Sequence, residues 1–316
     1  MKAQSSATAP VRIAVTGPGE RAGLGTLQAA LGVAVFSLTF PATAWGLEGF
    51  EPWSLIAVRS VLAALIAGCC LCVAGAPGRR GRGRLTVPLP ERRHLPGLAV
   101  VAGGVVIGFP LLSTLALTSS TTAHAAVVGG LLPLVTALVS ALRTGMRPSR
   151  TFWAAALAGA AAVVAFALLQ SGGALTAADG FLFAALLVCA AGYAEGGRLA
   201  RVMPGWQVIG WALVLCLPLS VPGAVLALSQ EPVRLTVHSV AGLLWVAVGS
   251  QFLGMVVWYR GMAVIGVPRA SQLQLAQPLL TLVSSVLLLG EHLTVAAPLT
   301  AVAVLVCIAV TQRSRS

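Results

Sequence analysis

The chain has 316 residues, of which 58% are apolar and 9% charged, with a formal net charge of +12 and a mean hydropathy of +0.94. A soluble domain carries about 25% charged residues, so this composition excludes a soluble globule. The basic residues flank apolar stretches and form no domain of their own, which argues against nucleic acid as a partner.

A membrane-spanning helix needs about 20 mostly apolar residues. Ten such stretches are predicted, at 24–46, 53–75, 95–117, 120–142, 151–170, 179–200, 206–228, 239–262, 269–290 and 293–311. They are rich in Leu, Val and Ala. They lack the alternation over about ten residues that marks barrel strands. The predicted fold is all-α and polytopic, with about ten transmembrane helices, and the lipid bilayer is its first partner.

The first span contains Phe36-Ser-Leu-Thr-Phe-Pro41-Ala-Thr. Leu31 to Phe40 followed by Ala42-Thr43-Ala44 has the layout of a signal peptide. Cleavage there would leave an unpaired repeat, so the span is read as retained. The second span carries Arg59, about seven residues in, or roughly 10 Å deep. An arginine at that depth costs about 2.5–3.5 kcal/mol on insertion. Either it anchors a substrate carboxylate or phosphate, or it snorkels to Glu48, Glu51 or lipid headgroups. The arginine-rich segment 76–94 reads as a topology-setting loop, with anionic headgroup binding as the alternative.

Phe109-Pro110 in the third span and Ser250-Gln251-Phe252 in the eighth fall near mid-membrane and are weaker candidates for lining a cavity. His124 lies about one turn into the fourth span. Trp45, Trp53, Trp206 and Tyr259 sit near span ends, where aromatic anchors are expected. In the fifth span, Ala155 with Gly159 and Ala158 with Ala162 have the spacing of helix packing. Glu195 and Arg198 in the sixth span are three residues apart and can pair on one face. The other reading of Glu195 is as the carrier of a coupling proton. All six cysteines fall inside spans and read as small apolar fillers rather than disulfides or a metal site.

The charges order the topology. Breaks after the odd-numbered spans are almost free of basic residues and hold Glu48, Glu51, Asp179 and Glu231, whereas the even-numbered breaks and both termini hold the arginines. Only Arg59 and Arg234 depart from this pattern. The positive-inside rule then predicts a multi-pass protein of the inner (plasma) membrane with both termini cytoplasmic.

The fourth and ninth spans rhyme. Pro133-Leu-Val-Thr136-Ala-Leu-Val-Ser140 runs to Gly145, and Pro278-Leu-Leu-Thr281-Leu-Val-Ser-Ser285 runs to Gly290-Glu291, at a constant offset of 145 residues. One unit used twice is a mark of transporters. The predicted organisation is a tail (1–23), a first five-helix repeat (24–171) and a second (178–312). Five spans per unit invert the second copy and set a substrate site between the halves near mid-membrane. Pro133 and Pro278 each remove a backbone N–H there and free a carbonyl for a polar solute or water. Gln274, Gln277, Thr281 and Ser284/Ser285 share one face of the ninth span. That face either contacts substrate or bonds to neighbouring helices. The fourth span has Gly129 and Leu132 in place of the two glutamines, so recognition is expected chiefly on the second half.

The stretch Gln277-Pro278-Leu-Leu-Thr-Leu-Val-Ser-Ser-Val-Leu-Leu-Leu-Gly290-Glu291-His292-Leu293-Thr294, with Phe36 to Thr43 and Arg59, resembles the EamA-type branch of the drug/metabolite transporter superfamily. The joint from Arg198 to Trp211 resembles exporter-like members. The resemblance spans about 24–312 in layout and implies ten helices, two five-helix repeats and export of a small amphipathic metabolite, amino acid or drug. The first repeat departs from it with Gly145-Met146 where the family often has Gly-Glu.

An intramembrane enzyme, or a receptor for a lipid-soluble ligand, is the rival reading. His94, His124, His238 and His292 are scattered, no HExxH occurs, and Ser250 has no histidine beside it in sequence. A nucleotide-binding motif is missing, which excludes an ATP-driven pump on its own. The expectation is a secondary transporter without catalytic residues, metal or cofactor. Its candidate substrate contacts are Arg59, Pro133, Gln274, Gln277, Pro278 and Thr281, and Glu195 is the candidate for coupling. A homodimer stays open.

Overall fold

The computed structural model describes residues 18–74, 89–144, 149–170, 173–266, 270 and 273–313. The tail to residue 17, the arginine run at 75–88, Gly145-Met146 and Arg269 lie outside the described residues, as do the side chains of Ser140 and Ala155. All regular structure among the described residues is helical. Seven helices are long and apolar enough to cross a membrane: α1 (Ala22–Leu47), α2 (Pro52–Ala74), α3 (Arg92–Leu117), α4 (Thr122–Arg143), α6 (Ala177–Leu199), α7 (Gly205–Gln230) and α8 (Val237–Ile265). Three further apolar helices are α5 (Arg150–Gln170), α9 (Gln277–Leu289) and α10 (Ala296–Arg313). The protein is a multi-pass membrane protein.

Helix pairing follows the repeat. α2 lies along α7, α5 along α10, and α4 crosses α9, so each of these helices meets its own counterpart. α1 packs along α8 just as α6 packs along α3. Exchanging the halves maps every one of these pairs onto itself or onto another, as a two-fold axis requires. Glycine permits both close crossings. A Cβ on Gly261 of α8 would strike the backbone of Ala29 in α1, and one on Gly104 of α3 would strike the Val188 carbonyl of α6.

The spans are not regular throughout. α4 breaks at Gly130-Leu131, between the helical pieces Thr122–Gly129 and Leu132–Thr144. α9 is preceded by a 3-10 turn at Gln274–Ala276. Each proline sits second in the piece after the break (Leu132-Pro133, Gln277-Pro278), where its missing N–H would have no helical partner in any case. Each irregularity thus lies just before its proline: a break in α4 and a 3-10 turn in α9. α3 and α8 carry a second matched irregularity, π-helical segments at Ala102–Gly108 and Trp245–Gly254. Single wide turns of this kind recur at functional sites.

The two ends of the bundle differ in charge. One carries Glu48, Asp179, Glu231 and Glu291 at helix termini; the other carries Arg143, Arg198 and Arg201. They are called the acidic end and the basic end.

Candidate functional site

Two adjoining cavities, with about 20 and 40 Å³ open to the centre of a water-sized molecule, share Phe40, Phe109, Leu132 and Gln277 in their walls. The smaller lies between the breaks of α4 and α9, against Gly129, Gly130, Pro133, Gln274, Pro278 and Thr281. Here the halves touch closely: a Cβ on Gly130 would come within 3.2 Å of the Pro278 ring. The larger reaches Arg59, Tyr193, Ser250 and Gln251, with Phe36 and Met255 among its apolar walls. Residues as far apart in the chain as Phe36 and Thr281, from both halves, thereby enclose one region. All six candidate contacts line it: Arg59 on one side, and Pro133, Gln274, Gln277, Pro278 and Thr281 on the other.

Arg59 is buried, with 3% of its surface exposed. Snorkelling to Glu48 or Glu51 is overturned. Its Nε–H donates to Gln251 Oε1 at 2.6 Å and its Nη2 to the Val246 carbonyl at 3.2 Å. Glu48 instead lies 3.1 Å from His238, whose ring stacks on Trp45. Gln251 in turn donates from Nε2 to the Val106 carbonyl at 3.2 Å. The helical donor to that carbonyl would be residue 110, a proline with no N–H. The chain Arg59–Gln251–Val106 therefore joins the π segments of the two halves through carbonyls that irregular helix makes available.

The polar stripe of the second half divides between two tasks. Gln274, Gln277 and Thr281 line the smaller cavity. Gln274 is buried beside the Tyr193 side chain, and its Nε2 is left without a well-formed hydrogen bond. Ser284 and Ser285 face helices instead: Ser284 lies 3.4 Å from the Ser37 carbonyl of α1, and Ser285 Oγ lies 2.6 Å from Thr122 Oγ1 of α4. Thr136, the thinner counterpart in α4, is buried and lines neither cavity.

Glu195 also lines neither cavity. It is buried at the basic end, where Oε2 lies 2.8 Å from Arg143 of α4 and Oε1 lies 2.5 Å from Arg198. The pairing with Arg198 follows from their spacing; the bridge to α4 through Arg143 does not.

Sequence reasoning missed two clusters at the acidic end. Gly290 ends α9 in the left-handed conformation (φ +65°), which suits a residue without Cβ. Glu291 then reaches across to the start of α4, where it accepts the N–H groups of Thr122 (2.9 Å) and Ala123 (3.0 Å) and lies 2.8 Å from the Thr122 hydroxyl. A carboxylate at a helix N-terminus satisfies unpaired donors and meets the positive end of the dipole. One turn on, His124 Nε2 lies 2.7 Å from Asp179 Oδ1, both buried, and the ring stacks on Phe166. Asp179 also accepts the Thr176 N–H and hydroxyl in the capping box of α6. The Gly-Glu pair was visible as a repeat feature, and His124 as a polar residue near a span end. Nothing local showed which helix either would meet.

A family model described as the EamA-like transporter family matches residues 23–168 and again 176–312. A protein of Bacillus subtilis (strain 168) named "Uncharacterized transporter YdeK" is 39% identical over 289 residues, covering 92% of this chain and 97% of the relative. A solved crystal structure with 20% identity shares the fold at a TM-score of 0.61, over 90% of this chain and 95% of that one.

Proposed function

The chain belongs to the EamA-like transporter family, and from that premise we propose a secondary transporter that exports a small amphipathic solute by alternating access. The two halves, 24–171 and 178–312, rock about the paired cavities, with the basic end cytoplasmic in the inner membrane. The carrying observation is the convergence of Arg59, Pro133, Gln274, Gln277, Pro278 and Thr281, drawn from both halves, on one region at two matched helix breaks. Discontinuous helices at a repeat interface present backbone groups to a solute where lipid cannot reach.

Transport into inside-out vesicles tests the reading, using a panel of labelled amino acids and drugs with and without a proton gradient. Saturable, protein-dependent uptake of at least one solute is expected, and uptake of none sinks the proposal. With the substrate in hand, Gln277→Leu is expected to raise its KM. Unchanged transport removes Gln277 and the α9 face from the binding site. Glu195→Gln tests coupling: abolition of the response to the gradient assigns the coupling proton to Glu195, whereas an unaltered response leaves it a structural ion-pair centre.

A further inference from the structure

Among the described residues, Arg59 is the one charged side chain lining either cavity, and no Asp, Glu or His accompanies it. A transporter of organic cations is served by a carboxylate or an aromatic cage; the aromatic side chains here (Phe36, Phe40, Phe109, Tyr193) stand beside a buried guanidinium, which repels a cation, and no carboxylate offsets it among the described lining residues. We propose that the solute is a small organic anion, a carboxylate on an apolar body, and that Arg59 supplies its counter-charge. This deepens the transporter reading and rests on it.

The geometry of the guanidinium carries the inference. An arginine offers five N–H donors in a fixed planar fork. Protein acceptors take one from Nε and one from Nη2. Both acceptors, the Gln251 amide oxygen and the Val246 carbonyl, are neutral, so the positive charge is held in place without being cancelled. No carboxylate lies within ion-pair distance of Arg59 among the described residues. The Nη1 amino group makes no hydrogen bond among them either, which leaves the Nη1–Nη2 edge for a bidentate oxyanion. Leaving a cation buried without a counter-ion is costly, and a carboxylate arriving in the cavity relieves that cost only when substrate is present.

The remaining walls describe the rest of the solute. Phe36, Phe40, Phe109 and Met255 form the apolar surface beside Arg59. At the far side, the buried Gln274 amide lies beside the Tyr193 side chain, and its Nε2–H group, without a well-formed hydrogen bond, suits an acceptor such as a carbonyl oxygen. Gln251 is a positioning residue: it comes from the opposite half and acts through Arg59, and its own bond to Val106 fixes the amide that holds the guanidinium.

Two isosteric probes separate the alternatives: labelled hippurate, which has a phenyl ring, an amide and a carboxylate, and labelled N-(2-aminoethyl)benzamide, which replaces the carboxylate with an ammonium. Uptake of each is measured in proteoliposomes of the full-length chain against protein-free vesicles. Hippurate is expected to enter faster by about tenfold or more, since a site built for a charged hydrogen-bonding group rejects its replacement. Arg59→Gln should abolish that preference and Arg59→Lys should keep part of it. Gln251→Leu should raise the KM for hippurate while leaving a measurable kcat. Because the wild-type comparison needs no variant, a misfolded Arg59→Gln protein does not spare the proposal. Equal or faster uptake of the ammonium probe overturns the anion assignment and leaves the transporter reading intact. Movement of neither probe, in vesicles that carry some other solute of the panel, overturns it too. A protein that moves no solute at all sinks the transporter reading itself.

Discussion

The acidic and basic ends of the bundle both bind helices together through carboxylates, yet they do so in opposite surroundings. At the acidic end Asp179 is fully buried and His124 is 8% exposed in its side chain. Glu291 and Glu231 reach the N-termini of neighbouring helices: Glu231 accepts the Ser54 N–H of α2 at 2.8 Å, and Glu291 those of Thr122 and Ala123 in α4. At the basic end Glu195 is buried, but its partners Arg143 and Arg198 are 48% and 57% exposed. Water and salt screen the second cluster and hardly reach the first. A repeat that supplies the same backbone at both ends has been given a firm closure at one and a yielding one at the other. Under the alternating access proposed above, an imbalance of this kind would set which side opens at rest.

The comparison breaks most sharply at Asp179. Asp179→Ala leaves the buried His124 ring without its partner, at about 1–3 kcal/mol for an unpaired buried polar group, and removes the capping box of α6, at about 1 kcal/mol more. A large fall in the unfolding midpoint of detergent-purified protein is the expected reading. Glu291→Met comes next, because it gives the second repeat the residue that follows Gly145 in the first. Losing an ionised acceptor of several buried donors is expected to cost about 1–3 kcal/mol. If the acidic end is the firm closure, this variant also exposes it: a cysteine placed at Ser119, near the start of α4, should react faster with a membrane-impermeant maleimide. Ser285→Ala, which removes the hydroxyl beside Thr122, should cost about 0.5–1.5 kcal/mol and act in the same direction. Stability equal to wild type in all three would mean that the two ends are alike.

The parts of this arrangement that were legible in the sequence share a cause. Spans follow from length and apolar content, and the irregular turns before Pro133 and Pro278 go with a residue that suits the first turn of a helix and not its interior, which is a property of one residue and its neighbours. Arg59 and the glutamines of the ninth span were legible as candidates because a polar group in lipid is costly wherever it lies. Their partners were not. Arg59 meets Gln251, 192 residues away, and Glu48, only 11 positions distant in sequence, pairs with His238 instead. The capping role of Glu291 depends on which helix start the fold brings beside it, and at sequence level a glutamate after a span looks like a loop charge. The π segments of α3 and α8 turn on a one-residue change of helical register, which apolar periodicity does not resolve in stretches apolar on every side.

The smallest effect concerns the basic end and is the most discriminating. Glu195→Gln removes the charge that holds Arg143 and Arg198, but both arginines remain able to reach water. Exposed pairs are worth about 0.2–1 kcal/mol each, so a stability loss of about 1 kcal/mol is expected. Salt separates this cluster from its counterpart. At about 1 M ionic strength the Debye length falls to about 3 Å, so wild-type protein in high salt should lose much of the difference from Glu195→Gln. The Asp179→Ala difference should persist unchanged, because solvent ions do not enter a fully buried site. Unfolding midpoints of the three proteins at low and high salt measure both terms together. A salt-insensitive Glu195 effect would make the basic end as firmly closed as the acidic one, and the imbalance assigned to the two ends would have to come from the cavity instead.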